Sequence, residues 1–166
     1  MATALFVSIE DIKKNTILDG NLDTDKIIQF VKVAQQIHVQ NKLGTKLYDK
    51  ISADIIGGTL SGDYLELTNV YIKPMLIWFA MVEYLPFAAY QLKNGGFTKH
   101  LSENSESIST REMDRLLEKS QNNATYYTDR LIDYICKDTS RFPEYNQNVS
   151  GDVYPDRDTD YTSWVL

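Results

Sequence analysis

The run MLIWFAMVEYL, residues 75–85, decides the fold, because it is apolar almost all the way round and carries a single charge, Glu83. A helix that is apolar on every side belongs in the middle of a bundle or in a subunit interface. Extended to residues 75–92, the stretch is long enough to suggest a membrane span. It also holds Glu83, Pro86 and Gln91, and it follows Lys73 and Pro74. A charge near the bilayer centre costs about 2.5 to 3.5 kcal/mol, so the expected reading is the central helix of a soluble bundle, with no membrane. Pro74 and Pro86 each remove an amide and crowd the preceding turn, and a break or kink is expected at both. The helical region around them is expected to run from Asp63 to about Asn94.

Working outward, Ser8 and Asp11 form a capping box for a short first helix ending near Lys14. Asp19, Gly20 and Asn21 signal a turn, and a second helix is expected from Asp23 or Thr24 to about Leu43. Ile27, Val31, Ala34 and His38 recur there at helical spacing. Gly44 is placed to end it. A third helix from Thr45, with Leu47, Ile51 and Ile55 on one face, closes at Gly57 and Gly58. Beyond Gly95 and Gly96, residues 97–108 have no helical period and are expected to form an exposed loop or irregular hairpin that projects from the bundle. Ser109 and Glu112 make a second capping box. The last helix, 111–137, then carries a seam of Met113, Leu117, Ser120, Ala124, Tyr127, Leu131 and Tyr134. The fold class is all-α: a helical bundle with a Pro-kinked central helix, a projecting loop or hairpin, a long last helix and an extended C-terminal tail.

Length and charge agree with one core. The chain has 166 residues, an ordinary size for a single domain. Lysine and arginine number 17 against 23 acids, for a net charge of -6, which argues against a general nucleic-acid clamp. The N-terminal residues lack the basic and apolar regions of a secretory signal. From Thr139 the character changes to an aperiodic, acidic, aromatic segment. Arg141 and Arg157 stand there against Glu144, Asp152, Asp156, Asp158 and Asp160. The chain is therefore divided as a helical domain, 1–138, and an extended arm, 139–166.

No constellation of residues supports catalysis. His38 shares a helix face with Val31 and Ala34 and reads as a core or boundary histidine. His100 lies in the polar loop, and no metal-ligand spacing joins either to Cys136. Cys136, the single cysteine, excludes an intrachain disulfide and reads as a buried helical thiol. The acid pairs Glu10–Asp11 and Asp158–Asp160 lack the pattern of a calcium loop. Neither glycine pair has the context of a phosphate loop. No catalytic, cofactor or metal site is expected, and the chain is not expected to be an enzyme. The tail is different, because disordered termini are poor in aromatics and this one holds Phe142, Tyr145, Tyr154, Tyr161 and Trp164, with Leu166 at its end. Each such aromatic can bury about 150 to 250 Å² in a pocket. The tail is expected to dock in extended form on a neighbouring subunit or partner.

Several runs together resemble the head-to-tail connector, or adaptor, proteins of tailed bacteriophages, of the type found in Bacteroidetes-infecting and crAss-like phages. They are FVSIEDI at 6–12, YIKPMLIW at 71–78, YLPFAAYQLKNGG at 84–96, residues 105–118, and YYTDRLIDY at 126–134. The order of elements carries the likeness more than any one string does. The resemblance implies an all-helical structural virion protein at the head-tail junction, present in the host cytoplasm during assembly. It implies a homo-oligomeric ring, typically twelve-fold, beneath the portal protein, which extends the DNA channel and receives the next neck or tail protein. Genomic DNA would pass without specific binding. Under it, Phe97, His100 and Leu101 of the projecting element join the tail aromatics as expected partner contacts. The alternative reading is a monomeric acidic binding module that mimics nucleic acid to occupy a host protein.

Overall fold

The computed structural model describes residues 4–16, 24–88, 90–93, 96–99 and 109–158. Its elements are α1 (Ile9–Asn15), α2 (Thr24–Ala34), a π-helical segment Gln35–Val39, α3 (Gln40–Gly57), α4 (Gly62–Glu66), a second π segment Leu67–Ile72, α5 (Lys73–Tyr84), a 3-10 turn Leu85–Phe87, strands β1 (Tyr90–Lys93) and β2 (Gly96–Lys99), and α6 (Thr110–Lys137). Two 3-10 turns follow, Thr139–Arg141 and Pro143–Asn146. The architecture is an all-α bundle with one short hairpin, as the sequence predicts.

The apolar run lies at its centre. Met75, Leu76, Ile77, Ala80, Met81 and Tyr84 of α5 are buried, with α6 along one side and α2 along another. By length and composition the continuous helix Gly62–Phe87 could cross a membrane. Here its apolar residues join one core with Ile27 and Val31 of α2, Leu43, Leu47 and Ile51 of α3, and Leu131 and Ile135 of α6.

Both capping boxes form. The Ser8 side chain accepts from the Asp11 amide, and that of Ser109 accepts from the Glu112 amide, each carboxylate returning the bond to the cap's own amide. The buried face of α6 is rotated slightly from the expected seam: Ser120, Ala124 and Leu131 are buried, joined by Thr128, Ile132 and Ile135, while Met113, Leu117, Tyr127 and Tyr134 are half-buried.

The prolines act differently from expectation. Pro74 sits in the first turn of α5, where a missing amide costs little. The helix passes there from π to α winding without a break. Pro86 lies in the 3-10 turn that does end the helix. The helix expected to reach Asn94 therefore stops short, and the chain turns into an antiparallel hairpin, with Tyr90 opposite Lys99 and Lys93 opposite Gly96. The hairpin thus begins at Tyr90, and of the projecting loop expected over 97–108 residues 100–108 lie outside the described residues.

Two further expectations are corrected. Cys136 is exposed, because the buried stripe of α6 passes through its neighbour Ile135. Residues 139–158 are not a separate arm. Phe142 and Tyr145 are completely buried members of the central core, so the division at 138 does not separate two bodies.

Candidate partner-binding surfaces

The C-terminal segment is held in two steps. In the first, Phe142 packs edge-on against Tyr64, ring centroids 5.4 Å apart. Arg141 lies over the Tyr134 ring at 5.0 Å and forks onto Asp63, its Nε 3.0 Å from Oδ2. That guanidinium holds the Asp63 carboxyl below its ordinary range. The Tyr64 hydroxyl donates to Glu144 at 2.7 Å. Tyr145 lies beneath the Arg157 guanidinium, 4.7 Å from the ring centroid, and burial pushes its hydroxyl up to about 12.

In the second step, residues 147–158 lie as a strap across a break in α3. Gly44 has φ 75 and ψ 164 inside that helix, a left-handed conformation suited to glycine. Any Cβ there would lie 2.8 Å from Pro155 Cδ and 2.9 Å from Asn148 Nδ2. The break frees the Thr45 and Lys46 amides from helical bonding. Thr45 N donates to Val153 O at 3.0 Å, the Val153 amide donates back to Thr45 Oγ1 at 2.9 Å, and Lys46 N donates to Asn148 Oδ1 at 3.1 Å. The Asp156 amide donates to Asn41 O at 2.9 Å. Lys42, buried to 7% exposure, places Nζ 2.7 Å from Asp156 Oδ2 and 3.0 Å from Asp158 O. A buried ammonium needs such partners. The Lys42 bond, aided by the Asp158 amide, holds the Asp156 carboxyl below its usual range.

On this strap Val149, Val153 and Tyr154 are exposed, Tyr154 lining a shallow pocket with Tyr145, Pro155 and Arg157. At the other end of α3 lies an open groove of about 400 Å³, with Leu5, Ile55, Leu60 and Leu65 in its lining and the Asp11–Lys73 pair at its edge. Ile56 and Leu65 are also exposed there.

The sequence-predicted contacts fare differently. Tyr154 is on the surface, 61% exposed. Phe142 and Tyr145 face the chain's own core and are corrected as partner contacts, because their apolar rings complete the space beneath α3 and α4. Phe97 lies on β2. His100, Leu101, Tyr161, Trp164 and Leu166 lie outside the described residues. His38 is a boundary residue, stacked on Phe79 with centroids 3.8 Å apart and with Nε2 3.0 Å from Glu83 Oε1. Among the described residues, no three His, Cys, Asp or Glu side chains gather as a metal site.

The sequence shows two features of the site only in part. The break at Gly44 falls where the second helix is expected to end and the third to begin, but nothing in the sequence seats residues 147–158 on it. Gln35 reads as a helical polar residue, yet it is buried. Its Oε1 accepts from Phe6 N at 3.0 Å and its Nε2 donates to Ala4 O at 2.8 Å. The only advance signal was its place beside Val31 and Ala34 on an apolar face.

A family model described as a family of unknown function, DUF6712, matches residues 39–155. The chain belongs to that family. The match takes in α3 with its break at Gly44 and the strap as far as Pro155, and ends one residue before Asp156. No curated protein and no solved structure matches the chain.

Proposed function

We propose that this DUF6712 chain is a structural subunit that assembles into a ring at the head-tail junction of a tailed phage, between the portal and the neck or tail. The resemblance of its sequence runs to adaptor proteins suggests the role. The observation that carries it is the presence of exposed apolar side chains at two unlike places on one subunit, Val149, Val153 and Tyr154 on the strap and Ile56 and Leu65 beside the mixed polar and apolar groove. The strap meets α3 at Gly44 and the groove meets it at Ile55, roughly 16 Å apart along the helix at about 1.5 Å of rise per residue. A ring requires a heterologous contact, in which one face of a subunit meets a different face of the next. The acidic charge suits a channel that DNA passes without sticking, since like charge repels phosphate. On this reading the protein is a virion component made in the host cytoplasm, its ring expected to be twelve-fold, and it does no catalysis.

The test is co-expression with the portal protein of the same phage, followed by sedimentation velocity and analysis of purified virions. A ring that sediments with portal and is present in virions is the expected result. A chain that stays monomeric with portal and is absent from virions sinks the proposal. Capture of a host DNA-binding protein without portal would point to the acidic binding module instead.

A further inference from the structure

Several cations around the strap are matched to acids: Lys42 faces Asp156, Lys46 faces Asp152 and Arg141 faces Asp63. Arg157 differs. Among the described residues no carboxylate pairs with it. Its guanidinium is nonetheless fixed in place, lying over the Tyr145 ring at 4.7 Å from the centroid and donating to Asn146 Oδ1 at 2.7 Å. Tyr145 is completely buried, so the plate beneath the guanidinium is held by the core. A guanidinium has five N–H donors and no acceptor, and most of these remain unmet. The group borders a shallow pocket of about 250 Å³, whose other lining residues are Tyr145, Asn146, Asn148, Tyr154 and Pro155. The two side-chain amides there have their acceptors in use. Asn146 turns Oδ1 to Arg157, which can only donate, and Asn148 turns Oδ1 to the Lys46 amide at 3.1 Å. The charged and amide side chains of the pocket therefore offer donors in surplus.

We propose that this pocket binds a carboxylate side chain carried by an acidic peptide segment of a partner protein. An ionised carboxylate only accepts, and its two oxygens match the fork of a guanidinium. Tyr154, 61% exposed on the pocket wall, gives an apolar neighbour of that carboxylate a ring to rest on. A polyanion such as nucleic acid suits the site poorly, because the exposed Asp158 follows Arg157 directly and the chain carries a net charge of -6. The inference goes beyond the ring reading and does not depend on it.

The test is an NMR titration of the ¹⁵N-labelled chain, read at the Nε–H signal of Arg157. The probe is a blocked pentapeptide, Gly-Leu-Glu-Leu-Gly, compared with its glutamine counterpart and with inorganic phosphate. The glutamate peptide is expected to saturate the signal at millimolar concentration, about tenfold more tightly than either comparison. Arg157→Gln is expected to abolish the preference for glutamate over glutamine and Tyr154→Ala to weaken both peptides, with the thermal transition unmoved because both residues are exposed. No saturation below about 10 mM, or an equal response to the glutamine peptide, overturns the site. An equal response to phosphate overturns its assignment to a peptide carboxylate. These outcomes are read on the wild-type chain, so they decide the matter even if a variant fails to fold, and none of them bears on whether the chain forms a ring.

Discussion

Single side chains decide how the two ends of this chain are attached. Gln35 does for the N-terminal segment what a neighbouring strand would do, offering an acceptor to Phe6 N and a donor to Ala4 O from within the core. Gln35→Leu removes both and leaves two buried backbone groups unmet, so a loss of about 2 to 4 kcal/mol is expected in urea unfolding. A change below about 0.5 kcal/mol would mean that water reaches those groups. At the other end, the Lys42–Asp156 bond depends on the carboxylate, whose folded pKa is lowered. Its contribution is complete above the ordinary aspartate value near ~3.9 and is lost as pH falls through the lowered folded value. The strap is therefore expected to stay seated from neutrality to about pH 4 and to loosen below it. The amide shift of Val153, followed by NMR through an acid titration, reports this. A shift that moves instead around about pH 6.5 would implicate a histidine.

At the scale of elements, the segment after α6 is where the sequence misleads. Its lack of period, its prolines and its acids describe an arm, and for residues 147–158 an extended strap is what forms. Phe142, however, lies between two short 3-10 turns and Tyr145 within the second, and no periodicity reveals either. Their burial depends on a gap beneath α3 and α4 that exists only once the bundle is assembled. Truncation after Thr139 removes both aromatics, each worth about 3 to 5 kcal/mol, which together approach the whole stability of a domain. Truncation after Asn146 keeps them. The shorter chain is expected to lose its cooperative thermal transition and the longer one to retain it, and equal melting of the two would show that these rings do not hold the core. By contrast, α1, α6 and the apolar α5 were legible, because capping boxes and unbroken hydrophobicity are local signals. The hairpin was placed too late because Pro86 was read as a kink inside a helix that in fact ends there.

Across the whole molecule, acidity and apolar surface divide the work. Much of the C-terminal acid is spent internally: Glu144 on Tyr64, Asp152 on Lys46, Asp156 on Lys42. The side chains of this segment that remain exposed are a mixture, Val149, Val153 and Tyr154 beside Arg157 and Asp158. The break at Gly44 also has a consequence for the order of events during synthesis. The partners of Thr45, Lys46 and Lys42 lie 108, 102 and 114 residues downstream. A chain growing from its N-terminus at about 5 to 20 residues per second must hold that joint unfinished until Asp156 has been made. The joint is therefore sealed only after α4, α5 and α6 have been synthesised, which makes the strap the closing act of this chain's own folding.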